Sequence, residues 1–536
     1  MKRKAGSFAL TVSEFRLPER TGKRFSGILR TLVIIWAVVF GWWVTGKGLG
    51  ITPDSVDYIS SGLNLASGKG LAIYSGVPLT LFPPGLPAIL ALGHLLGITV
   101  QVVARLVNIA SIASATLLSM RIAEKYVCDL GQILLTGSIV AVSFGGTYVA
   151  TFVWSEALFT PLVLLSFLAY FRLARNPQSW SALALLGAST AAAFMDRYVG
   201  LVLIPVFTIS LGWMAKSRGW RAIVSTSSKV LIATSVVPVA SVLRNLATDG
   251  TALGFRPSSI QTFGPTIESF FRQMLILLSG GTSASKVTNW WLIVGIAICY
   301  GFVLLLAWKG SLSFHRDSAS TPAQNALLPL GLFLVIYSSY LIYAQLTTAI
   351  DAFGLRLLSP MFVPGVLFVV VAINAPRFLP GVLSASRRLV IGSGVLTLVL
   401  LCQTVGSVAY LENLRASQGK LQIASPIERA AINLPSSVEF FTNISYKLWA
   451  LHPRDGMLDV PLRGWYRSNV SYSVSPSFVK TVSCTPTLLV WATFGSPWFY
   501  PPRELKIFVN LKVVRHYTDG TIYRLGPRDG IRTCLQ

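Results

Sequence analysis

Residues 28–46 read ILRTLVIIWAVVFGWWVTG, and Arg30 is the single charged side chain in this stretch. A helix of about 20 mostly apolar residues spans the hydrocarbon core of a bilayer, so the stretch predicts a membrane-spanning helix. Because it is long and lacks a small-residue cleavage site, we interpret it as an uncleaved first span. Further runs of this kind lie near 100–121, 132–152, 156–172, 180–195, 198–215, 222–243, 289–308, 326–346, 357–374 and 389–410. The sequence therefore predicts an all-α polytopic membrane protein with about eleven transmembrane helices.

The overall composition agrees with a membrane protein. The 536 residues are 53% apolar and only 12% charged, with a mean hydropathy of +0.63, whereas soluble proteins carry about 25% charged residues. This composition excludes a disordered chain, a collagen-like fibre and a disulfide-stapled secreted domain. Five cysteines and four histidines show no zinc or iron–sulfur spacing.

The distribution of basic residues predicts the orientation. With the N-terminus inside, the segments 1–27, 121–131, 172–179, 216–221, 309–325 and 375–388 are cytoplasmic, and they hold most of the Lys and Arg before residue 411. Basic residues concentrate on the cytoplasmic side, so we expect a protein of the cell inner membrane with a cytoplasmic N-terminus. The apolar run Pro84–Ile98 is barely long enough to cross, and we expect an interfacial helix there.

The segment after residue 411 has shorter apolar runs than the predicted membrane domain and contains strand-like segments. Strand-like runs occur at Thr487–Thr493, Lys506–Val514 and Thr521–Leu525, and the turn signal Asp519-Gly520 predicts a hairpin between the last two. We expect a small extracytoplasmic α/β domain over 411–536, after a basic N-terminus (1–27) and a membrane domain (28–410) with outer loops 47–99 and 244–288. Cys484 and Cys534 either pair in an oxidising compartment or remain two buried thiols.

Three acidic residues at the outer face are candidate catalytic groups. Pro53 begins a predicted short amphipathic helix, which places Asp54 in its first turn and Asp57 one turn later on the same face. Glu156 follows Trp154 in a tight outer turn. Acids at a membrane edge are costly and often functional. The structural alternatives are that Asp54 caps the helix while Asp57 faces solvent, and that Glu156 belongs to an N-cap.

Basic and aromatic residues at the same face are candidate substrate-binding groups. Lys and Arg usually concentrate on the cytoplasmic side, so arginines at the outer face need a compensating partner. They either pair with the acids or bind a phosphate through their planar guanidinium groups. Aromatic side chains there stack on sugar or lipid, or anchor the protein at the interface. The candidates are Lys69, Tyr58, Arg197, Tyr198, Arg244, Arg256 and Arg356, with His94 in the interfacial helix.

These residues carry a resemblance to a known superfamily. The stretches are Asp54-Ser55-Val56-Asp57-Tyr58, Gly68-Lys69-Gly70, Phe82-Pro83-Pro84-Gly85-Leu86-Pro87, Trp154-Ser155-Glu156-Ala157-Leu158-Phe159, Asp196-Arg197-Tyr198-Val199-Gly200, Arg244-Asn245 and Arg356-Leu357-Leu358-Ser359-Pro360. In this order they resemble the membrane glycosyltransferases of the GT-C fold, in particular the bacterial relatives of protein O-mannosyltransferases and aminoarabinose transferases.

The resemblance implies transfer of a sugar from a polyprenyl-phosphate donor, with inversion, onto an acceptor hydroxyl of a glycan, lipid or protein. It implies that Asp54 is the general base and that Glu156 helps to place the acceptor or assists that base. A general base removes the proton of the attacking hydroxyl, and a cation stabilises the leaving phosphate. Candidates for that cation are Arg244, Arg256, Arg356 and Lys69. No cofactor is required, a divalent cation is compatible with the three acids, and no nucleic acid partner is expected.

Two departures from the family pattern leave questions open. Some relatives carry a Lys where this chain has Leu81-Phe82, so the phosphate must be bound by another residue. The first acid is commonly followed by Glu, whereas Ser55 follows Asp54 here, so either Asp54 or Asp57 is the base. The alternative functions are a lipid or polysaccharide transporter (a flippase) and a polysaccharide polymerase or ligase.

Overall fold

The computed structural model describes residues 19–281, 301, 324–375, 385–421, 424–435, 437–454, 456–485 and 487–528. In this part of the chain, nine helical stretches are long and apolar enough to cross a membrane: Arg24–Val44, Val100–Ala123, Leu130–Ala150, Glu156–Arg175, Tyr198–Arg218, Trp220–Asp249, Ala326–Thr347, Leu355–Asn374 and Leu389–Leu414. They coincide with nine of the predicted spans. The predicted span 180–195 is also a helix, of 17 residues, and the span 289–308 lies outside the described residues. The protein is a multi-pass membrane protein.

We number the helices in chain order within the described residues. They are α1 Glu19–Val44, α2 Pro53–Ala66, α3 Gly85–Leu95, α4 Val100–Ala123, α5 Leu130–Ala141, α6 Phe144–Ala150, α7 Glu156–Arg175, α8 Trp180–Asp196, α9 Leu203–Met214, α10 Trp220–Asp249, α11 Phe263–Leu278, α12 Gln324–Thr347, α13 Leu355–Asn374, α14 Ala385–Leu421, α15 Pro426–Ile432, α16 Ser445–Leu451, α17 Pro476–Cys484 and α18 Pro502–Leu505. Two 3₁₀ turns, Tyr198–Val202 and Ala215–Arg218, flank α9.

Helix α7 lies at the centre of the bundle. Its side chains Phe159, Val163 and Phe167 are fully buried, and the Phe167 ring packs edge-on against Phe207 of α9 and Phe333 of α12. Helices α1, α10 and α14 are buried over only 22% of their most apolar windows. Their exposed apolar side chains therefore form the lipid-facing surface of the bundle.

The predicted span 132–152 is broken into α5 and α6 at Val142 and Ser143. Polar side chains of α14 satisfy the backbone groups near this break. The Gln403 amide oxygen accepts a hydrogen bond from the Phe144 N–H (2.8 Å), and the Ser407 hydroxyl donates to the Val142 carbonyl (2.9 Å). A break inside a membrane domain is tolerated when neighbouring helices supply such partners.

Helix α3 is the short helix expected within Pro84–Ile98. With 11 residues it is about 16 Å long, too short for a hydrocarbon core of about 30 Å. Its start packs against the end of α8, where a Cβ atom on Gly85 would lie 2.4 Å from the Met195 carbonyl oxygen. Only glycine permits this close approach, which explains why glycine ends the Pro83-Pro84-Gly85 stretch.

The C-terminal region is the expected small α/β domain. Its five strands, β1 Phe440–Thr442, β2 Met457–Asp459, β3 Thr487–Ala492, β4 Asn510–Tyr517 and β5 Gly520–Gly526, form one sheet in the order β2-β1-β3-β5-β4. The predicted hairpin is present as antiparallel β4 and β5. The predicted strand Lys506–Val514 was placed too early, because α18 and a turn precede Asn510. The three-residue strands β1 and β2 are too short to give an alternating pattern.

The C-terminal domain packs directly on α2, in the segment between the membrane-spanning helices α1 and α4. One hydrophobic cluster combines Val56 and Ile59 of α2 with Phe440 of β1 and Leu448 of α16, all nearly inaccessible to solvent. Burial of these side chains fixes the domain above α2, because each large apolar side chain contributes about 1.5–3 kcal/mol on burial. Both alternatives for Cys484 and Cys534, a disulfide or two free thiols, are retained, because Cys534 lies outside the described residues.

Candidate active site

A cavity of about 620 Å³ lies between the end of the helix bundle and the C-terminal domain. The start of α2, the segment before α3, the end of α8, the loop after α10 and the start of α13 meet there. The charged lining comes from Asp54, Asp196, Arg197, Arg256, Asp351 and Arg356. The sequence-predicted residues Tyr58 and Tyr198 also line the cavity.

Asp54 lies in the first turn of α2, as the sequence predicts, but it does not cap the helix. The cap is Thr52, whose hydroxyl oxygen accepts a hydrogen bond from the Ser55 N–H (3.3 Å). The indole N–H of Trp154 donates to the same oxygen (2.8 Å) and so ties the helix start to the turn before α7. The Asp54 carboxylate is thereby left at the cavity wall.

Glu156 lies behind that wall, in the middle of an ion-pair network. Its side chain is fully buried and forms ion pairs with Arg197 and Arg356. Arg356 also contacts Asp54, with 2.5 Å between Nη1 and Oδ2. Arg356 therefore joins the two acids, and its guanidinium carbon lies 4.4 Å from the ring centre of Trp154. Such a buried network requires every charge to be paired, because a lone buried charge is strongly destabilising.

Hydrogen bonds to neighbouring segments, and not a side-chain N-cap, fix the start of α7. Ser155 occupies the N-cap position without forming a cap hydrogen bond. Its hydroxyl instead accepts a hydrogen bond from Arg197 Nη1 (3.1 Å) and pairs with the Tyr58 hydroxyl (3.1 Å). The Ser155-Glu156 pair thus connects α2, α7 and the end of α8, which a simple capping role does not require.

Arg256 enters the cavity from the loop after α10. Its guanidinium donates to two carbonyl oxygens, those of Leu253 (2.9 Å) and Leu81 (3.0 Å). Gly254 makes this possible, since its φ of +80° and a distance of 2.5 Å from its would-be Cβ to the Leu81 Cα exclude a side chain. Burial lowers the pKa of Arg256. Within the described ranges no carboxylate forms an ion pair with Arg256, so its direct hydrogen-bond partners are the two carbonyl oxygens.

Arg244 binds the backbone of the segment 79–81, which Arg256 also contacts, from outside the cavity. Its Nη1 donates to the Leu79 carbonyl (2.7 Å) and to the Asn245 side-chain oxygen (3.0 Å). The Tyr198 hydroxyl donates to the Thr80 carbonyl (2.8 Å) and accepts from the Asn245 amide (2.8 Å). Arg244 and Asn245 do not line the cavity and hold the segment that Arg256 also contacts.

Asp57 points toward the C-terminal domain. It is half-buried one turn after Asp54, and it does not line the cavity. Burial, together with the negative charges of Asp54 and Asp459, raises the pKa of Asp57 to about 8. Asp459 accepts a hydrogen bond from the Tyr74 hydroxyl (3.0 Å), and both contact Ser445. Asp57 therefore belongs to the contact between α2 and the C-terminal domain, where its uncharged form is favoured.

Lys69 and His94 lie apart from the cavity. Lys69 is exposed in the turn after α2, and His94 is exposed in the last turn of α3. Neither residue is part of the cavity lining. In the described segments no group of three or more His, Cys, Asp or Glu side chains is arranged to hold a metal ion. The expectation from the sequence, that no cofactor is required and that a divalent cation is compatible with the acids, is untested by the structure.

Several cavity residues were not among the sequence candidates. Tyr337 and Tyr340 of α12 line it from the membrane side, and Trp465, Tyr466 and Trp498 line it from the C-terminal domain. Asp196 is singled out in the sequence only within the Asp196-Arg197-Tyr198-Val199-Gly200 stretch. It is buried at the cavity, and among the described residues neither of its carboxylate oxygens has a hydrogen-bond partner. A helical stripe of tyrosines is a weak signal, and the tryptophans lie too far along the chain to be connected with Asp54 by spacing.

The helix bundle, with a cavity at one end and a small C-terminal domain beside it, has a fold similar to the GT-C fold of solved membrane glycosyltransferases. ArnT from Cupriavidus metallidurans bound to undecaprenyl phosphate has a similar structure, with a TM-score of 0.59, 13% identity, and coverage of 92% of this chain and 97% of that one. The Archaeoglobus fulgidus oligosaccharyltransferase in complex with zinc and sulfate gives a TM-score of 0.50 at 10% identity, covering 92% of this chain and 73% of that one.

These similarities are structural. At 10–13% identity they establish the fold, and the residues of the cavity carry any argument about chemistry. No protein-family model and no curated protein sequence matches the chain.

Proposed function

We propose that this protein transfers a sugar from a polyprenyl-phosphate donor to an acceptor hydroxyl at the outer face of the membrane. One observation carries the proposal: a single cavity presents the Asp54 carboxylate beside Arg356 and, from the loop after α10, the Arg256 guanidinium. A base and a phosphate-binding cation in one cavity are what a direct displacement of a phosphate leaving group needs. The bound undecaprenyl phosphate of ArnT supports a lipid-phosphate donor for this fold.

In the proposed reaction Asp54 accepts the proton of the acceptor hydroxyl. The hydroxyl oxygen then attacks the anomeric carbon, and the bond from that carbon to the phosphate oxygen breaks. The electron pair leaves with the phosphate, which departs as an anion and is stabilised by Arg256. Attack from the side opposite the phosphate inverts the anomeric configuration.

The surroundings of the three acids favour Asp54 as the base. Glu156 is enclosed by two arginines and has no exposed surface. Asp57, with its pKa raised to about 8, faces the C-terminal domain. Asp54 is the one of the three that lines the cavity, with 26% of its side chain exposed. In this scheme Glu156 is a positioning residue, because it acts through the arginines.

We further propose an orientation with the N-terminus in the cytoplasm of the inner membrane and the C-terminal domain outside. The cavity and that domain lie at the same end of the bundle, and the basic residues favour the opposite end. A periplasm-dependent reporter fused after the C-terminal domain is expected to be active, and a cytoplasm-dependent reporter inactive. The reverse result would contradict the orientation.

The function is tested by sugar transfer with purified protein. Wild type, Asp54→Asn and the matched control Glu268→Gln are mixed with a panel of synthetic radiolabelled polyprenyl-phosphate sugars and membrane extract. Glu268 is an outer acid of α11 paired with Arg272, outside the cavity lining. We expect transfer by wild type and the control, and a loss of about 10²–10⁴-fold in Asp54→Asn, the range for removal of a general base.

Two results would contradict the proposal. Transfer that survives in Asp54→Asn would exclude Asp54 as the base. Absence of transfer from every donor, combined with movement of a fluorescent polyprenyl-phosphate across vesicles containing the protein, would support the flippase alternative.

A further inference from the structure

The wall of the cavity opposite the bundle is aromatic. Two segments of the C-terminal domain form it, one at residues 462–466 and the other at 496–498. Their large side chains Tyr466 and Trp498 are exposed by 43% and 37%, and the two rings lie edge to face with centroids 6.1 Å apart. Large aromatic side chains usually withdraw from water, so two half-exposed rings at a cavity mouth indicate a binding surface.

The two segments are fixed to each other. The backbone N–H groups of Arg463 (2.7 Å) and Gly464 (3.1 Å) both donate to the Trp498 carbonyl. Leu462 and Phe499 form a bridge next to this contact. The backbone segments that carry Tyr466 and Trp498 are therefore held side by side.

The aromatic wall is also anchored to the membrane domain. The Arg467 guanidinium donates to the Gln345 side-chain oxygen (2.9 Å), and the Arg467 carbonyl accepts from the Ile260 N–H (3.1 Å). The Trp465 indole N–H donates to the Ala349 carbonyl (3.3 Å). These contacts hold the wall at a constant distance from the Asp54 side of the cavity.

Arg467 adopts a left-handed backbone conformation with a φ of +56°, and no other non-glycine residue in the described segments has a positive φ. Such a conformation is disfavoured by sterics, and it persists where the surrounding contacts impose it. Strained residues of this kind cluster at functional sites. Here the strain orients the chain directly after Tyr466.

We propose that Tyr466 and Trp498 form a platform for a sugar ring of a carbohydrate acceptor. A pyranose or furanose ring offers a face of C–H groups to an aromatic ring and carries hydroxyls at its edge, where Ser496 and Asp351 also line the cavity. The platform belongs to the acceptor because the donor phosphate is assigned to Arg256, on the membrane side. The assignment of the bound sugar to the acceptor rests on the proposed function. Binding of a sugar to the platform can be tested without it.

Binding is tested by saturation-transfer NMR on the full-length protein in nanodiscs. The probes are methyl glycosides of common hexoses and pentoses at millimolar concentration, with short uncharged peptides as the comparison. We expect saturation transfer from wild type to the ring protons of at least one glycoside, and its loss in the double variant Tyr466→Ala/Trp498→Ala. The matched control Tyr466→Phe/Trp498→Phe keeps two aromatic faces and is expected to retain it.

Three results would overturn the platform: no glycoside signal from wild type, equal signals in the alanine and phenylalanine pairs, or signals from the peptides alone. Because the assay needs no catalysis, these results are independent of whether the protein transfers sugar.

A kinetic measurement then connects the platform with the reaction. With an active donor, the alanine pair is expected to raise the KM for acceptor by about tenfold, with kcat and the affinity for donor nearly unchanged. A fall in kcat with an unchanged KM would overturn the acceptor assignment. Failure of wild type to transfer any sugar contradicts the proposed function instead.

Discussion

The two walls of the cavity are built on opposite principles. On the membrane side Arg356 pairs with Asp54 and Glu156, and these charges are largely withdrawn from water. On the side of the C-terminal domain, Tyr466 and Trp498 are uncharged and half-exposed. The charged wall is arranged before any ligand arrives, as electrostatic stabilisation of a reaction requires. The aromatic wall offers surface for recognition.

Within the charged wall a second comparison is more informative. Asp54 and Glu156 share one arginine, yet 26% of the Asp54 side chain is exposed and none of Glu156. The acid that reaches the cavity is suited to chemistry, and the buried acid is suited to holding arginines in place. Substitutions at the two positions should therefore separate activity from stability.

The largest effect on stability is expected for Glu156→Ala. The substitution leaves Arg197 and Arg356 buried with less compensation, and breaking a buried pair in this way costs about 3–5 kcal/mol. Thermal unfolding in detergent, followed by tryptophan fluorescence, should show a strongly lowered Tm. Asp54→Asn should lower the Tm less, because Asp54 is partly exposed and Arg356 keeps Glu156 as its partner.

Glu268→Ala is the matched control for this comparison. It removes an acid from a partly exposed pair with Arg272, one helical turn apart on α11, and such pairs contribute about 0.3–0.5 kcal/mol. Equal losses of stability in Glu156→Ala and Glu268→Ala would contradict the buried network as the support of the charged wall.

A smaller effect is expected for Arg256→Gln, on donor binding. The substitution keeps hydrogen-bond donors for the Leu81 and Leu253 carbonyls but removes the charge assigned to the phosphate. Hydrogen bonds to charged groups contribute about 1.5–3 kcal/mol, which corresponds to about 10–150-fold in affinity. Binding of a polyprenyl phosphate, measured by competition with a fluorescent analogue, should weaken accordingly.

Arg244→Gln tests whether a positive charge must line the cavity in order to bind the donor phosphate. Arg244 also binds a carbonyl of the same segment, that of Leu79, without lining the cavity. We expect it to change donor affinity less than Arg256→Gln does. If the two variants weaken binding equally, the assignment of the phosphate to Arg256 is wrong.

The sequence predicted the charged wall of the cavity much better than the aromatic wall. Long apolar runs identify spans directly, and charges at their outer ends are rare enough to be noticed, as Asp54, Glu156 and Arg356 were. The pairing of Glu156 with two arginines depends on three helices meeting, which no local spacing encodes. Tyr466 and Trp498 lie in irregular segments of a domain whose position depends on tertiary packing, so only the structure brings them to the cavity.

A last prediction concerns Asp57, which lies in the contact between α2 and the C-terminal domain. Its pKa is raised to about 8, against about 3.9 for an unfolded chain. Between these values the folded state binds more protons, so the contribution of Asp57 lowers stability progressively as the pH rises from about 4 to 8. Asp57→Asn should remove this dependence and raise the Tm relative to wild type at pH 8, with little change at pH 4. A variant whose Tm follows the wild-type pH profile throughout would show that Asp57 does not titrate in the contact between α2 and the C-terminal domain.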